Sequence, residues 1–178
     1  MTDTPPTHDP DRRAGRCLMR LQPMEEGDLA AVLDVQAACY PPAMREAAGV
    51  VLARLRASPD TALVARDAQG VCAYLFAYPS RLGTVTPLGG AFAPPPEPDT
   101  LYLHDLAVAP RAAGRGVARR LVARLLAHAT GRGLLHSALV SVQDSRRFWE
   151  SLGYACAPGA AGVLATYPPE ALYMTRRL

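Results

Sequence analysis

The sequence predicts an α+β domain built around one mixed, mostly antiparallel sheet. Three observations carry that prediction. Two β-rich runs, Thr61–Arg66 and Val71–Tyr78, bracket Asp67-Ala68-Gln69-Gly70, a hairpin turn with glycine where positive φ is needed. A strand-like run, Thr100–Val108, leads through a turn at Ala109-Pro110 into an Arg/Gly-rich loop, an amphipathic helix and a further strand-like run at Leu135–Val142. Two helical patterns precede the hairpin, so antiparallel and crossover connections are mixed in one chain.

Taken in order, residues 1–15 are polar, Pro-rich and without periodicity, and read as a disordered leader ahead of a single domain over 16–178. Cys17–Leu21 reads as a first short strand. Acidic residues at Glu25, Glu26 and Asp28 open a helix that Leu29, Val32, Leu33 and Gln36 continue and Tyr40-Pro41-Pro42 stops. A second helix is expected over Ala43–Ala57, with Met44, Val51, Leu52 and Leu55 on one face, ended by Ser58-Pro59-Asp60. Residues 80–99 form a long Pro/Gly-rich loop, either facing a substrate or solvated. A helix over Arg115–Thr130 buries Ala118, Leu121, Val122, Leu125 and Ala129, turns Arg119, Arg120 and Arg124 outward, and stops at Gly131 and Gly133. Ser145–Leu152 reads as a short helix, Gly153-Tyr154 as the start of another strand, and Leu172–Arg176 as a last strand.

Composition narrows the function. The 178 residues are 49% hydrophobic and 20% charged with a net charge of +3, which is ordinary for one globular domain. The arginines are scattered rather than gathered in a basic run, which argues against a nucleic-acid partner. Cys17, Cys39, Cys72 and Cys156 show no C-x-x-C spacing and no neighbouring His at metal-ligand distance. They read as free thiols in a reducing compartment, so a cytoplasmic location without a metal is expected. No run approaches the ~18 apolar residues of a membrane span, and no membrane partner is expected.

The stretch from Leu101 to Ala118 concentrates the chemistry. Gly114 and Gly116 permit backbone conformations closed to other residues and let a large ligand reach backbone N–H groups. A strand that delivers such a loop to a helix N-terminus makes an anion site, most often for phosphate. Arg111 and Arg115 can add charge-assisted bonds. The loop lacks the Lys-Ser/Thr of an ATP-binding P-loop, and Arg119 stands where a dinucleotide fold has its third glycine.

The chain resembles the GCN5-related N-acetyltransferase (GNAT) family, of bacterial small-molecule type. The resemblance rests on His104-Asp105-Leu106-Ala107-Val108, on the R-x-x-G-x-G loop from Arg111 to Gly116, and on Gln143-x-Ser145-x-x-Phe148-Trp149-x-x-x-Gly153-Tyr154, and covers roughly residues 17–157. It implies about four helices around a sheet splayed between the fourth and fifth strands, with acetyl-CoA as cofactor. The backbone of Leu106, Ala107 and Val108 would pair with the pantetheine arm. Arg111, Ala112, Ala113, Gly114, Arg115, Gly116, Val117 and Ala118 would hold the pyrophosphate. Gln143, Ser145 and Trp149 would lie along the pantetheine, with Trp149 where many members have Tyr. The arylalkylamine branch carries H-x-H-x-L-x-V on this strand; here it reads Tyr102-x-His104-x-Leu106-x-Val108, with the second histidine alone.

Acetyl transfer to an amine needs a route for the amine proton, N–H donors at the oxyanion and, in some enzymes, a proton for sulfur. His104 is the expected base, being mostly neutral at pH 7. The Leu106 N–H is the expected oxyanion donor. Strict alternation puts Tyr102, His104, Leu106 and Val108 on one face and Asp105 on the other; a bulge would return Asp105 to the side of His104. Ser145 and Tyr154 are the candidate acids, with direct thiolate departure as the alternative. Tyr40, Tyr78, Tyr102 and His104 are expected to meet the acceptor, with Phe92 beside them. The expected activity is transfer from acetyl-CoA to a primary amine of a small or amino-acid-like molecule, by a monomer or homodimer. An acyl-CoA-binding sensor of the same fold and a transferase using another acyl donor stay open.

Overall fold

A computed structural model describes residues 19–157 and 164–178; the expected leader, Cys17 and residues 158–163 lie outside the described residues. The elements are β1 (Arg20–Pro23), α1 (Leu29–Cys39), α2 (Ala48–Ala57), β2 (Ala62–Asp67), β3 (Gly70–Ser80), β4 (Thr100–Val108), α3 (Val117–Gly131), β5 (His136–Ser141), α4 (Arg146–Glu150), β6 (Ala155–Cys156) and β7 (Leu172–Arg177). The sheet order is β1-β2-β3-β4-β5-β7-β6. Every pairing is antiparallel except β4 with β5, where α3 makes the crossover that a parallel pair requires.

The sheet is covered on both faces. One core joins Leu63, Leu75, Leu101 and Leu103 to α3 through Val117, Leu121, Val122 and Leu125, and to α4 through Trp149. The other joins Val64, Tyr74, Phe76 and Tyr102 to α1 through Val32 and Val35 and to α2 through Val51 and Leu55. β3 is consequently buried almost throughout, as a strand between two helical layers must be. Two arginines of the α3 outer face tie it to β1 and the residue before it, Arg120 donating to the Met19 carbonyl at 3.3 Å and Arg124 to that of Leu21 at 3.0 Å.

Two departures from simple periodicity shape the site. The first is a β-bulge. Phe76 pairs with Asp105 and its neighbour Ala77 pairs with Leu103, so His104 is an extra residue on β4. Alternation reverses there. Leu101 and Leu103 face the α3 core, as do Leu106 and Val108, whereas Tyr102 and Ala107 face the α1 side. The expectation of one face carrying Tyr102, His104, Leu106 and Val108 is corrected.

The second departure is in the second helix, which begins at Ala48 rather than Ala43. Pro42–Met44 forms a 3-10 turn, and Arg45 and Ala47 are extended. The Gln36 side chain on α1 grips this extended stretch, donating to the Glu46 carbonyl at 3.1 Å and accepting from the Glu46 N–H at 2.8 Å. Glu46 is thereby turned inward.

Candidate active site

β5 pairs with β4 only over Thr100–Leu103 against His136–Leu139. Beyond that point β5 stays with β7, and the β4 edge from Asp105 to Val108 has no strand on that side. The sheet is splayed between its fourth and fifth strands. A cavity of about 240 Å³ fills the splay, lined by Leu106 and Val108 from β4, Ala118 from α3, and Gln143, Ser145 and Trp149 from the end of β5 and from α4. Across Val108, Ala118 and Phe148 it meets a groove of about 370 Å³ along Ala112, Ala113, Gly114, Gly116 and Val117.

The glycine loop is built for an anion. Gly114 (φ 71°) and Gly116 (φ 73°) are both left-handed, and Gly116 is the N-cap of α3. The N–H groups of Gly114, Arg115 and Gly116 have no acceptor among the described residues. Three consecutive free amides at the positive end of a 15-residue helix form a nest for negatively charged oxygens. Arg111 is differently engaged. Its guanidinium donates to the Val71 carbonyl at 2.8 Å and to Asp67 at 3.3 Å, tying the loop to the β2–β3 turn, while Arg115 stands 3.9 Å from Asp67.

At the opposite end of the cavity stand His104 and Asp105, brought to one side by the bulge. The Asp105 carboxylate accepts from the Tyr40 hydroxyl at 2.8 Å and from that of Tyr74 at 2.7 Å; no cation pairs with it among the described residues. Tyr40 also reaches the Leu106 carbonyl at 3.1 Å. Burial, reinforced by the Asp105 charge, pushes both phenols well above their ordinary value, so they remain donors.

The His104 imidazole is 2% exposed, with Nε2 3.6 Å from the Glu46 carboxylate. Phe92 packs edge-on at 5.4 Å. Nδ1 is buried without a partner. Burial and the Arg54 guanidinium pull the ring down to about 3 from an ordinary 6.5, so it is neutral at every physiological pH. A histidine neutral when folded takes up its proton on unfolding. Its contribution to stability is intact above about pH 6.5 and is lost progressively as pH falls toward 3. Urea unfolding of the wild type between pH 6 and 4 should therefore lose stability faster than His104→Phe, by about 1 kcal/mol per pH unit; equal slopes would remove His104 from the acid sensitivity.

Behind His104, Arg54 makes a buried bidentate pair with Glu46, whose partners are 2% and 6% exposed. The same guanidinium donates to the Gly90 carbonyl at 2.7 Å and lies 5.1 Å over the Phe92 ring. The Gly89 N–H donates to Glu46 at 2.9 Å. The loop over 81–99 is thus pinned to the site at its middle. Neither Glu46 nor Arg54 was a sequence candidate, because a helical pattern over Ala43–Ala57 registers only the apolar stripe. The one available signal is an arginine at position 54, between Val51 and Leu55 on the buried face.

Several expected residues lie elsewhere. Tyr78 is stacked on Phe92 at 4.4 Å with its hydroxyl on Thr86, and Tyr102 is wholly buried; neither lines the cavity. Tyr154 is in the α3 core, because Gly153 (φ 83°) turns the chain inward beneath Trp149. Its hydroxyl pairs with Ser137 at 2.7 Å, and burial pushes it up to about 12. Ser145 does line the cavity, but its hydroxyl donates to the Val142 carbonyl at 2.7 Å and accepts from the Trp149 indole at 3.2 Å. Among the described residues no cluster of His, Cys, Asp and Glu could hold a metal ion, and no helix is long and apolar enough to cross a membrane.

A splayed β4–β5 pair, a nest at the α3 N-terminus and a groove joining them agree with the comparisons to known proteins. The sequence profile of the acetyltransferase (GNAT) family matches residues 29–154. The chain belongs to the GNAT family. Similar solved structures include the loading GNATL domain of CurA from Lyngbya majuscula, at 10% identity over 90% of this chain and 98% of that one, with a TM-score of 0.76. Another is the GphF GNAT-like decarboxylase in complex with isobutyryl-CoA, at 17% identity over 89% and 98%, TM-score 0.71. A third is the ribosomal-protein-S18-alanine N-acetyltransferase from Escherichia coli, at 16% identity over 90% and 94%, TM-score 0.65. At such identities the likeness is one of GNAT fold. No curated protein sequence matches the chain.

Proposed function

We propose that this GNAT protein transfers an acetyl group from acetyl-CoA to the primary amine of a small molecule, by direct attack in a ternary complex. The observation that carries the reading is the continuous path from the free amides at Gly114–Gly116, along the unpaired edge of β4, to the Asp105 carboxylate. The nest would take the pyrophosphate. The Leu106–Val108 backbone would pair with the pantetheine, as an added strand pairs with a sheet edge. The thioester would then lie between Leu106 and Trp149, with the acceptor entering from the side of His104 and Asp105. CoA-bound neighbours of the same fold, among them an N-acetyltransferase from Thermoplasma acidophilum, support CoA as the ligand.

The amine attacks the thioester carbonyl, a C–N bond forms, and the oxyanion is met by the Leu106 N–H. The proton released from nitrogen passes to Asp105. His104, held neutral, is an uncharged neighbour that lets the Asp105 charge dominate the local field. The C–S bond then breaks and the thiolate leaves unassisted, since a thiol near ~8.5 is a tolerable leaving group and Ser145 is committed to Val142. Tyr102 occupies the place of the first histidine in the arylalkylamine pattern, so the proton route here is carboxylate-based.

Thiol release from acetyl-CoA across a panel of primary amines tests the reading. Release well above hydrolysis with at least one amine is expected. CoA binding by calorimetry without release from any amine would leave an acyl-CoA sensor, and faster release from a longer acyl-CoA would change the donor.

A further inference from the structure

Beside the main cavity lies a recess of about 30 Å³, room for about one water or one ammonium head. It shares Tyr40, His104, Asp105, Val140 and Val142 with the main cavity and continues beyond them to Met44, Glu46, Leu88 and Tyr167. Resting on the transferase reading above, we propose that the acceptor is an unbranched, cationic primary amine. Asp105 draws in its ammonium, which passes one proton by way of that carboxylate to solvent before the nitrogen has a lone pair for attack, and the walls of the recess reject any substituent on the carbon next to nitrogen.

Charge supports the first half of the proposal. Two carboxylates border the recess, but Glu46 is neutralised by Arg54 and bound by the Gly89 N–H. Asp105 has only tyrosine hydroxyls. One negative charge is therefore left over in a half-buried place, where a cation gains more than it does in water. A free α-amino acid would bring its own carboxylate within a few ångströms of this charge and is disfavoured.

Shape supports the second half. The walls come from five separate stretches, and cross-links fix several of them to one another. Gln36 holds the backbone of Glu46, Arg54 and Glu46 hold Gly90 and Gly89, and the Tyr167 hydroxyl donates to the Thr86 carbonyl at 2.7 Å. A recess closed by a loop pinned on both sides does not widen for an extra methyl. One misplaced methyl in a tight apolar site costs on the order of 10- to 200-fold in kcat/KM.

The test compares n-butylamine with its isomer sec-butylamine at saturating acetyl-CoA, reading thiol release. We expect kcat/KM to favour the straight amine by at least about 10-fold. In Leu88→Ala, which shortens one wall on an exposed loop, the ratio should shrink because the branched amine improves, with the KM for acetyl-CoA unmoved. Equal kcat/KM for the two isomers in the wild type overturns the proposal and leaves the transferase standing. A large ratio that Leu88→Ala fails to reduce also overturns it, since the walls named here would not be the discriminators. No release with either isomer, while another amine of the panel does release thiol, overturns this proposal alone; no release with any amine, while CoA still binds, overturns the transferase reading and this proposal with it.

Discussion

Arg54→Met lowers the melting temperature by roughly 6–20 °C. Removing one partner of a buried ion pair costs about 3–5 kcal/mol, because the other charge is left without compensation, and 1 kcal/mol is worth about 2–4 °C in a domain of this size. Arg54 is the largest side chain that is wholly buried, and it loses more than Glu46. The Gly90 carbonyl loses its donor and Phe92 its cation. The exposed pair of Arg56 with Glu26, 61% and 56% exposed, is the control: Arg56→Met should shift the melt by about 4 °C or less. Calorimetric melts of the three proteins decide it, and an Arg54→Met protein melting like Arg56→Met would show that the pair carries no stability. The consequence reaches the site, since the Arg54 charge helps to hold the His104 ring below its ordinary range. Without it, and with Glu46 unpaired 3.6 Å away, the imidazole should titrate closer to its ordinary range. In an NMR titration of a folded Arg54 variant the His104 ring should therefore begin to protonate at a higher pH than in the wild type.

The elements that position the anion nest were legible in the sequence, because each depends on residues near one another in the chain. Gly114 and Gly116 are left-handed, Val117 opens a helix, and the apolar stripe of α3 is a 3.6-residue repeat. The splay followed from the family motifs on β4 and after β5. What could not be read was the end of the cavity at His104 and Asp105. A strand read at period two has no place for the extra residue at His104 and turns Asp105 to the other face; the bulge that returns it stood only as an alternative. Only the pairing with Phe76 and Ala77, which are remote in sequence, reveals the bulge. The inward turn of Glu46 depends on Gln36 ten residues earlier, and the burial of Arg54 on glycines in a loop thirty-six residues later. Tyr154 illustrates the reverse error. Its proximity to Trp149 in sequence suggested the thiol, but Gly153 redirects the ring into the core, where Ser137 already holds its hydroxyl.

Asp105→Asn lowers kcat/KM for the amine by about 10²- to 10⁴-fold, the range over which a positioned proton acceptor contributes. The substitution keeps the shape and one acceptor oxygen, so Tyr40 or Tyr74 can still donate. What disappears is the single uncompensated charge. Attack on the thioester makes a nitrogen that must shed a proton before the C–S bond can break productively, and an amide oxygen is far too weakly basic to take it. The loss should fall on kcat as well as on the KM for the amine, because the same carboxylate attracts the ammonium and receives its proton. The KM for acetyl-CoA should stay within about two-fold, since nest and pantetheine edge are untouched. Tyr40→Phe supplies the graded comparison. It removes one of the two hydroxyls on Asp105 and frees the Leu106 carbonyl, leaving the carboxylate less anchored but still charged. Its loss should be smaller, about 10-fold. If Asp105→Asn retains wild-type kcat/KM while Tyr40→Phe does not, the proton leaves by way of the phenol or a water, and the carboxylate on β4 serves only to hold Tyr40 in place.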